Sequence, residues 1–204
     1  MSTKLTRRQL ITRGLAATVG LSALDAFGIE PRWLSHEVTE IPIKGLGKEL
    51  DGYRISLLSD FHVPRASKGL VQSAVKMAMD FKPDIILMPG DFVHGKWHKD
   101  NNTGPVPDLS GYFNGAHAPD GVFGTLGNHD HWLNADGVRE QLKKNTPIKL
   151  IENEHVIVRR GTAAIAFGGV GDLWEGHLRP DLAFSGVDKA TPRILLSHNP
   201  DYAE

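Results

Sequence analysis

The sequence predicts an α/β fold. Three observations carry that expectation. Short apolar runs alternate with an amphipathic helical stretch in the first half of the chain. Polar clusters follow immediately after several of those runs, where open α/β sheets build their sites. The composition, 204 residues with 40% hydrophobic and 23% charged, belongs to a chain that can bury a core and is not disordered.

The first element is N-terminal. Lys4, Arg7, Arg8 and Arg13 make a basic start with no acidic residue before Asp25, and residues 15–24 are apolar or small. A charged region followed by a short apolar one is the layout of a secretory signal. Arg7-Arg8, after Thr6 and before Gln9-Leu10-Ile11, is similar to a twin-arginine signal. Residues 1–30 are therefore expected to be an export signal. That places the protein in the periplasm or on the outer face of the cytoplasmic membrane, with the twin-arginine export machinery as a partner. An amphipathic helix with a chance arginine pair is the competing reading. Ala23 and Ala26 are small but form no A-x-A cleavage site. An uncleaved anchor stays open too, although the apolar run reads as shorter than the roughly 18 residues a membrane span needs.

Residues 31–204 read as one domain. Tyr53 to Ser59 reads as a buried strand that ends at Asp60. Ser67 is placed to cap a helix over Lys68 to Phe81, with Leu70, Val71, Ala74, Val75 and Ala78 on one face. Pro83 ends it, and Asp84 to Met88 is a second strand followed by Pro89-Gly90-Asp91. Trp97 to Asp120, rich in Asn, Gly, Pro and His, reads as a long loop with room for one short helix. Val122 to Leu126 is a third strand, ending at Gly127-Asn128-His129-Asp130, and Asn134 to Lys144 is a helix. Strands over 149–151, 155–159 and 162–167 follow, and 193–197 is the last, ending at His198.

Composition narrows the function. Lys and Arg total 23 against 24 Asp and Glu, a net charge of −1, which argues against nucleic-acid binding through bulk positive charge. The absence of cysteine excludes a disulfide scaffold, thiolate metal sites and a cysteine nucleophile.

The chemistry resides in Asp60-Phe61-His62, Gly90-Asp91, Gly127-Asn128-His129-Asp130 and His198. With 15 Asp and 10 His, roughly 0.7 D-x-H patterns arise by chance, so that pattern alone says little. Gly-Asn-His-Asp is expected only about 0.003 times, and its place in an ordered set at strand ends is more specific still. Carboxylate, imidazole and amide oxygen suit Mn, Fe, Zn or similar divalent ions. In an extended segment the side chains of Asp60 and His62 leave on one side and can share an ion. Asp91 is the natural bridge to a second ion, and Asn128 and His198 can ligate that one. Two ions about 3.5–4 Å apart activate water and clamp a phosphoryl group.

From about Tyr53 onward these motifs resemble the calcineurin-like metallophosphoesterases, whose pattern is D-x-H, G-D, G-N-H-[DE], a lone His and G-H-x-H. The stretch 169–174 and Leu196 to Asp201 is similar to a bacterial subgroup of exported phosphodiesterases and relatives of lipid-sugar pyrophosphatases. The resemblance implies a four-layer α-β-β-α sandwich of two mixed sheets. It implies two divalent metal ions, with Asp60 and His62 on the first, Asp91 bridging, and Asn128 and His198 on the second. It implies that His129 sits beside the phosphate, stabilising charge or protonating the leaving oxygen, and that Asp130 orients His129. The implied activity is hydrolysis of a phosphate ester, diester or monoester, by metal-activated water, with lipid-linked substrates among the options. No G-H-x-H occurs in the chain, which stops six residues after His198. The expectation is a C-terminally incomplete domain, for which a non-catalytic chain of the same fold is the alternative.

Each residue also has a plainer reading. Asp60 and Asp91 can serve turns, Asn128 a left-handed position, and His129 and His131 can lie on the surface. His94, His98, His117, His155 and His177 read as surface or loop residues. Asp172 and Trp174 can line a substrate entrance, or serve as turn and core residues. Phe61 and Trp132 read as packing residues.

Overall fold

The computed structural model describes residues 6–97 and 103–203. Lys4, His98 and Glu204 lie outside the described residues. The chain divides into two units, Met1–Thr39 and Glu40–Glu204.

In the first unit, helix α1 spans Arg7–Leu24. Its start is set by Thr6. The Gln9 amide donates to Thr6 Oγ1, and the Thr6 amide donates back to Gln9 Oε1, a capping box that satisfies two otherwise orphaned donors. A π-helical turn over Asp25–Ile29 extends it. Arg7–Ile29 thus forms 23 helical residues that are apolar enough to cross a membrane, a longer span than the sequence reading allowed. The reason is that the helix runs through the basic start and past Asp25 instead of being confined to the apolar stretch. None of the residues of α1 is buried.

The second unit holds two sheets. The first contains β1 (Ile55–Leu57), β2 (Ile85–Met88), β3 (Val122–Gly124) and β4 (Lys149–Leu150), in that order. All its pairings are parallel, so this sheet is not mixed. The second contains β5 (His155–Arg160), β6 (Ala163–Gly169) and β7 (Arg193–Leu196). It is mixed: β5 pairs antiparallel with β6, and β6 parallel with β7.

Strand β2 shows why the layers form. Its four residues are all buried, the mark of a strand covered on both faces. Because successive side chains alternate, Ile86 and Met88 join one core with Val71, Val75, Val138 and Leu142 of the helices. Ile85 and Leu87 join a second core with Ile165, Phe167 and Leu196 of the other sheet. Helices α2 (Lys68–Asp80) and α3 (Asn128–Asn145) therefore cover one face of the first sheet, and the second sheet covers the other. Next to the second sheet is the four-residue α4 (Pro180–Ala183), after which the Phe184 ring occupies the space beside Gly168 of β6.

Ser67 caps α2 as expected, accepting from the Leu70 amide at 3.3 Å. Helix α3 differs from expectation. It begins at Asn128, so the Gly-Asn-His-Asp motif forms its first turn instead of a strand-end loop. The expected start at Asn134 is real but internal. There the backbone leaves helical geometry, and Asn134 Oδ1 accepts from the Gly137 amide at 3.0 Å, capping a second helical segment. Residues 103–120 form turns and contain no helix among the described residues.

Candidate metal centre

Two loops that leave parallel strands build the floor of the site. After β1 the chain runs beside the segment after β2 and continues the ladder irregularly. The Asp60 amide donates to Gly90 O, His62 to Asp91 O and Val63 to Phe92 O, and the His94 amide returns to Val63 O. The backbone here is not extended. Asp60, His62 and Asp91 all lie in the left-handed region, at φ 60°, 46° and 56°. Asp60 and His62 still face one place, but the cause is this turn-like backbone and not strand alternation. Non-glycine residues there cost about 1 kcal/mol or more each, and such positions gather at functional sites.

Glycine lets the third loop approach. Gly90 has φ 102°, and a Cβ on it would collide with the backbone of Gly127. A Cβ on Gly127 would in turn strike the Asp91 carboxylate and lie 2.9 Å from His198 Cε1. The loop after β2 and the start of α3 therefore meet backbone to backbone, with no room for side chains between them.

Asp91 sits at the centre and is buried. Its Oδ2 lies 3.5 Å from His62 Nε2 and its Oδ1 lies 3.6 Å from His198 Nε2. Oδ1 also accepts the His129 backbone amide at 2.9 Å. Burial pushes its carboxyl above the ordinary value, opposed by His198 and by the His129 amide. Asp60 Oδ1 lies 3.6 Å from His62 Nε2. One ligand atom each from Asp60, Asp91 and His198 falls within 4.8 Å of the others.

His198 tests whether a cation fits. Its Nδ1 is 2.8 Å from the Pro89 carbonyl, which can only accept, so Nδ1 carries a proton. Nε2 then faces two further acceptors, Asn128 Oδ1 at 3.0 Å and Asp91 Oδ1 at 3.6 Å. With a neutral imidazole, three lone pairs converge there with no hydrogen between them, an arrangement that a cation or a second ring proton resolves. The buried His62 Nδ1 has no hydrogen-bond partner among the described residues. The donor set of carboxylate, imidazole and amide oxygen suits a divalent ion of the Mn, Fe or Zn type.

His129 lies beside this cluster. Its Nδ1 donates to Gly95 O at 2.7 Å, and Nε2 has no hydrogen-bond partner among the described residues. Its ring meets His62 edge-on at 4.6 Å and Trp132 at 4.7 Å. Asp130 is fully buried and does not hold the His129 ring. Its Oδ1 accepts from the Val93 amide at 2.9 Å and its Oδ2 from the Gly127 amide at 3.0 Å. Burial raises its carboxyl to about 7, against those two donors.

His94, expected to be a surface or loop residue, does lie in a loop, but half-buried and in company. Its ring is 5.6 Å from His62 and 4.8 Å from His129, and ligand atoms of the three imidazoles lie within 4.8 Å of one another. Burial holds its pKa below the ordinary value. The available signal was Phe92-Val93, a buried apolar pair between Asp91 and His94 that argues against a surface loop. His131 and His177 are not isolated surface residues either. His131 is buried and stacks on His177 at 4.9 Å. Asp172 is a turn residue whose Oδ1 accepts the Trp174 and Glu175 amides, while Trp174 is exposed and not core. Phe61 packs against Phe92 and Phe113 as expected.

The chain is 27% identical over 208 residues to Phosphodiesterase YaeI of Escherichia coli, covering 98% of this chain and 72% of that protein. It is 29% identical over 182 residues to a zebrafish (Danio rerio) transmembrane protein with a metallophosphoesterase domain, covering 81% of this chain but 39% of the relative. It is 25% identical over 201 residues to the UDP-2,3-diacylglucosamine pyrophosphatase LpxG of Chlamydia trachomatis, covering 74% of this chain and 58% of the relative. The chain thus spans less than two thirds of the last two. The family model described as calcineurin-like phosphoesterase matches residues 53–204, the stretch that carries every residue of the cluster, so the chain belongs to the calcineurin-like phosphoesterase family.

Proposed function

We propose that this protein hydrolyses phosphodiesters, and that Asp60, His62, Asp91, Asn128 and His198 hold two divalent metal ions. The observation that carries the reading is Asp91, whose two carboxylate oxygens face His62 on one side and His198 on the other. When bound, such ions would polarise the phosphoryl oxygens and make a water a better nucleophile. His129 presents Nε2 to the substrate because Nδ1–H is donated to Gly95 O, and in its doubly protonated form it would give the Nε2 proton to the leaving oxygen. Asp130 is a positioning residue. By accepting from Val93 and Gly127 it ties the loop after β2 to the start of α3, and so fixes Asp91 relative to Asn128 and His129. Two relatives, one named a phosphodiesterase and the other a UDP-2,3-diacylglucosamine pyrophosphatase, support a diester or pyrophosphate bond as the target.

The test is hydrolysis of bis-p-nitrophenyl phosphate by the full chain. Chelation is expected to abolish turnover, and added Mn²⁺ to restore it. Turnover that persists after metal content has fallen to background would refute the metal reading.

We also propose that residues 1–30 direct export through the twin-arginine machinery to the periplasm or the outer face of the cytoplasmic membrane. The basic start and the apolar helix α1 support it. Cell fractionation should find Arg7→Lys/Arg8→Lys protein retained in the cytoplasm, and unchanged export of that variant would overturn the assignment.

A further inference from the structure

One aromatic feature beside the site has no part in the chemistry above. Trp132 stands against the His129 ring at 4.7 Å. Trp174 lies over Trp132 with ring centroids 6.4 Å apart and planes within 18° of parallel. The two rings therefore continue outward from His129 as a tilted stack. Trp174 ends it with 61% of its surface exposed.

The presentation of Trp174 is enforced. Asp172 is wholly buried, and its Oδ1 accepts the Trp174 amide at 2.9 Å and the Glu175 amide at 3.0 Å. The Leu173 amide is held by Asn199 Oδ1 at 2.8 Å. Glu175 Oε1 accepts from Trp132 Nε1 at 2.8 Å, joining the turn to the second ring. Three consecutive backbone amides and one side chain thus fix a turn whose outward product is a bare indole. The turn is thus held by buried polar groups and not by packing of the indole, which stays 61% exposed.

We infer that Trp174 is a stacking platform for a planar ring on the substrate, a nucleobase or an aryl group attached to the phosphate through a short linker. This rests on the phosphate-ester reading, because it places the phosphate next to His129. A flat occupant is favoured over an acyl chain because Trp132 and Trp174 already lie within 18° of parallel and most of the Trp174 surface is open to a further ring. The distance from His129 to Trp174 cannot exceed the sum of the two centroid separations above. A sugar-sized spacer between phosphate and ring spans a gap of that order.

The experiment measures binding of uridine 5′-monophosphate, glycerol 3-phosphate and decyl phosphate to the full chain by calorimetry, for wild type, Trp174→Ala and Trp174→Phe. The wild type is expected to prefer the uridine ligand over glycerol 3-phosphate. That preference should fall about tenfold in Trp174→Ala, the usual loss for one base stacked on an aromatic. Trp174→Phe should retain most of it, because Phe keeps a ring face. No preference in the wild type, a preference unchanged in the Ala variant, or equal losses in Ala and Phe would each overturn the platform. Greater Trp174 dependence for decyl phosphate would overturn the flat occupant. Bis-p-nitrophenyl phosphate turnover reports on the phosphoesterase reading separately, so a stacking preference without turnover would count against that reading alone.

Discussion

Asp91→Asn is expected to lower hydrolysis of bis-p-nitrophenyl phosphate by about 10³-fold and to remove most of the bound metal, read by elemental analysis of the purified protein. The substitution is isosteric. The amide oxygen can keep the hydrogen bond from the His129 amide that Oδ1 now accepts at 2.9 Å. The amide nitrogen then replaces the oxygen that faces His62 Nε2 at 3.5 Å, presenting hydrogens where a lone pair stood. Charge and ligation are lost together while the loop keeps its shape. Because burial already disfavours the Asp91 carboxylate, the metal-free variant should be no less heat-stable than metal-free wild type. Normal metal loading in the variant would refute the bridging role. A large drop in metal-free stability would instead mark Asp91 as a structural residue.

His129→Ala should act differently. The kcat is expected to fall by about 10²–10⁴-fold with little change in metal content, since the imidazole supplies a proton and is not needed as a ligand. Its backbone amide, which anchors Asp91, is retained in the variant. The loss should shrink for esters with a very good leaving group such as p-nitrophenolate, which needs little protonation, relative to alkyl esters. Equal losses on both substrate types, or loss of metal along with activity, would argue that His129 is a ligand and not the acid.

Much of this was legible in the sequence, for identifiable reasons. Strand β2 declares itself because Ile85 to Met88 are uninterrupted apolar residues bounded by Pro83 and Gly90. The capped start of α2 follows from Ser67. The start of α3 was misplaced because Asn134 is a genuine cap, and a sequence pattern cannot tell a cap that opens a helix from one inside a kink. The candidate ligands were legible as an ordered set of residue types. Their geometry was not, since nothing in Asp-Phe-His announces left-handed backbone at both polar positions. His94 was missed for the related reason that its placement depends on pairing between two loops, through Val63 and Val93, and not on any local pattern. Asp130 belonged to the right motif, but its bonds go to backbone amides of two loops, which only the tertiary structure reveals.

The left-handed backbone at Asp60, His62 and Asp91 bears on which replacements the site could ever accept. Asp, Asn and His are the non-glycine residues that tolerate this conformation best. They are also short side chains with oxygen or nitrogen donors. Conformation and coordination therefore select the same narrow alphabet at these three positions. A glutamate, although chemically an equal ligand, is disfavoured there by its backbone preference as well as by its reach. Changes of metal preference would then be expected to arise by exchange among Asp, Asn and His, or at helix-borne Asn128, where the backbone imposes no such filter.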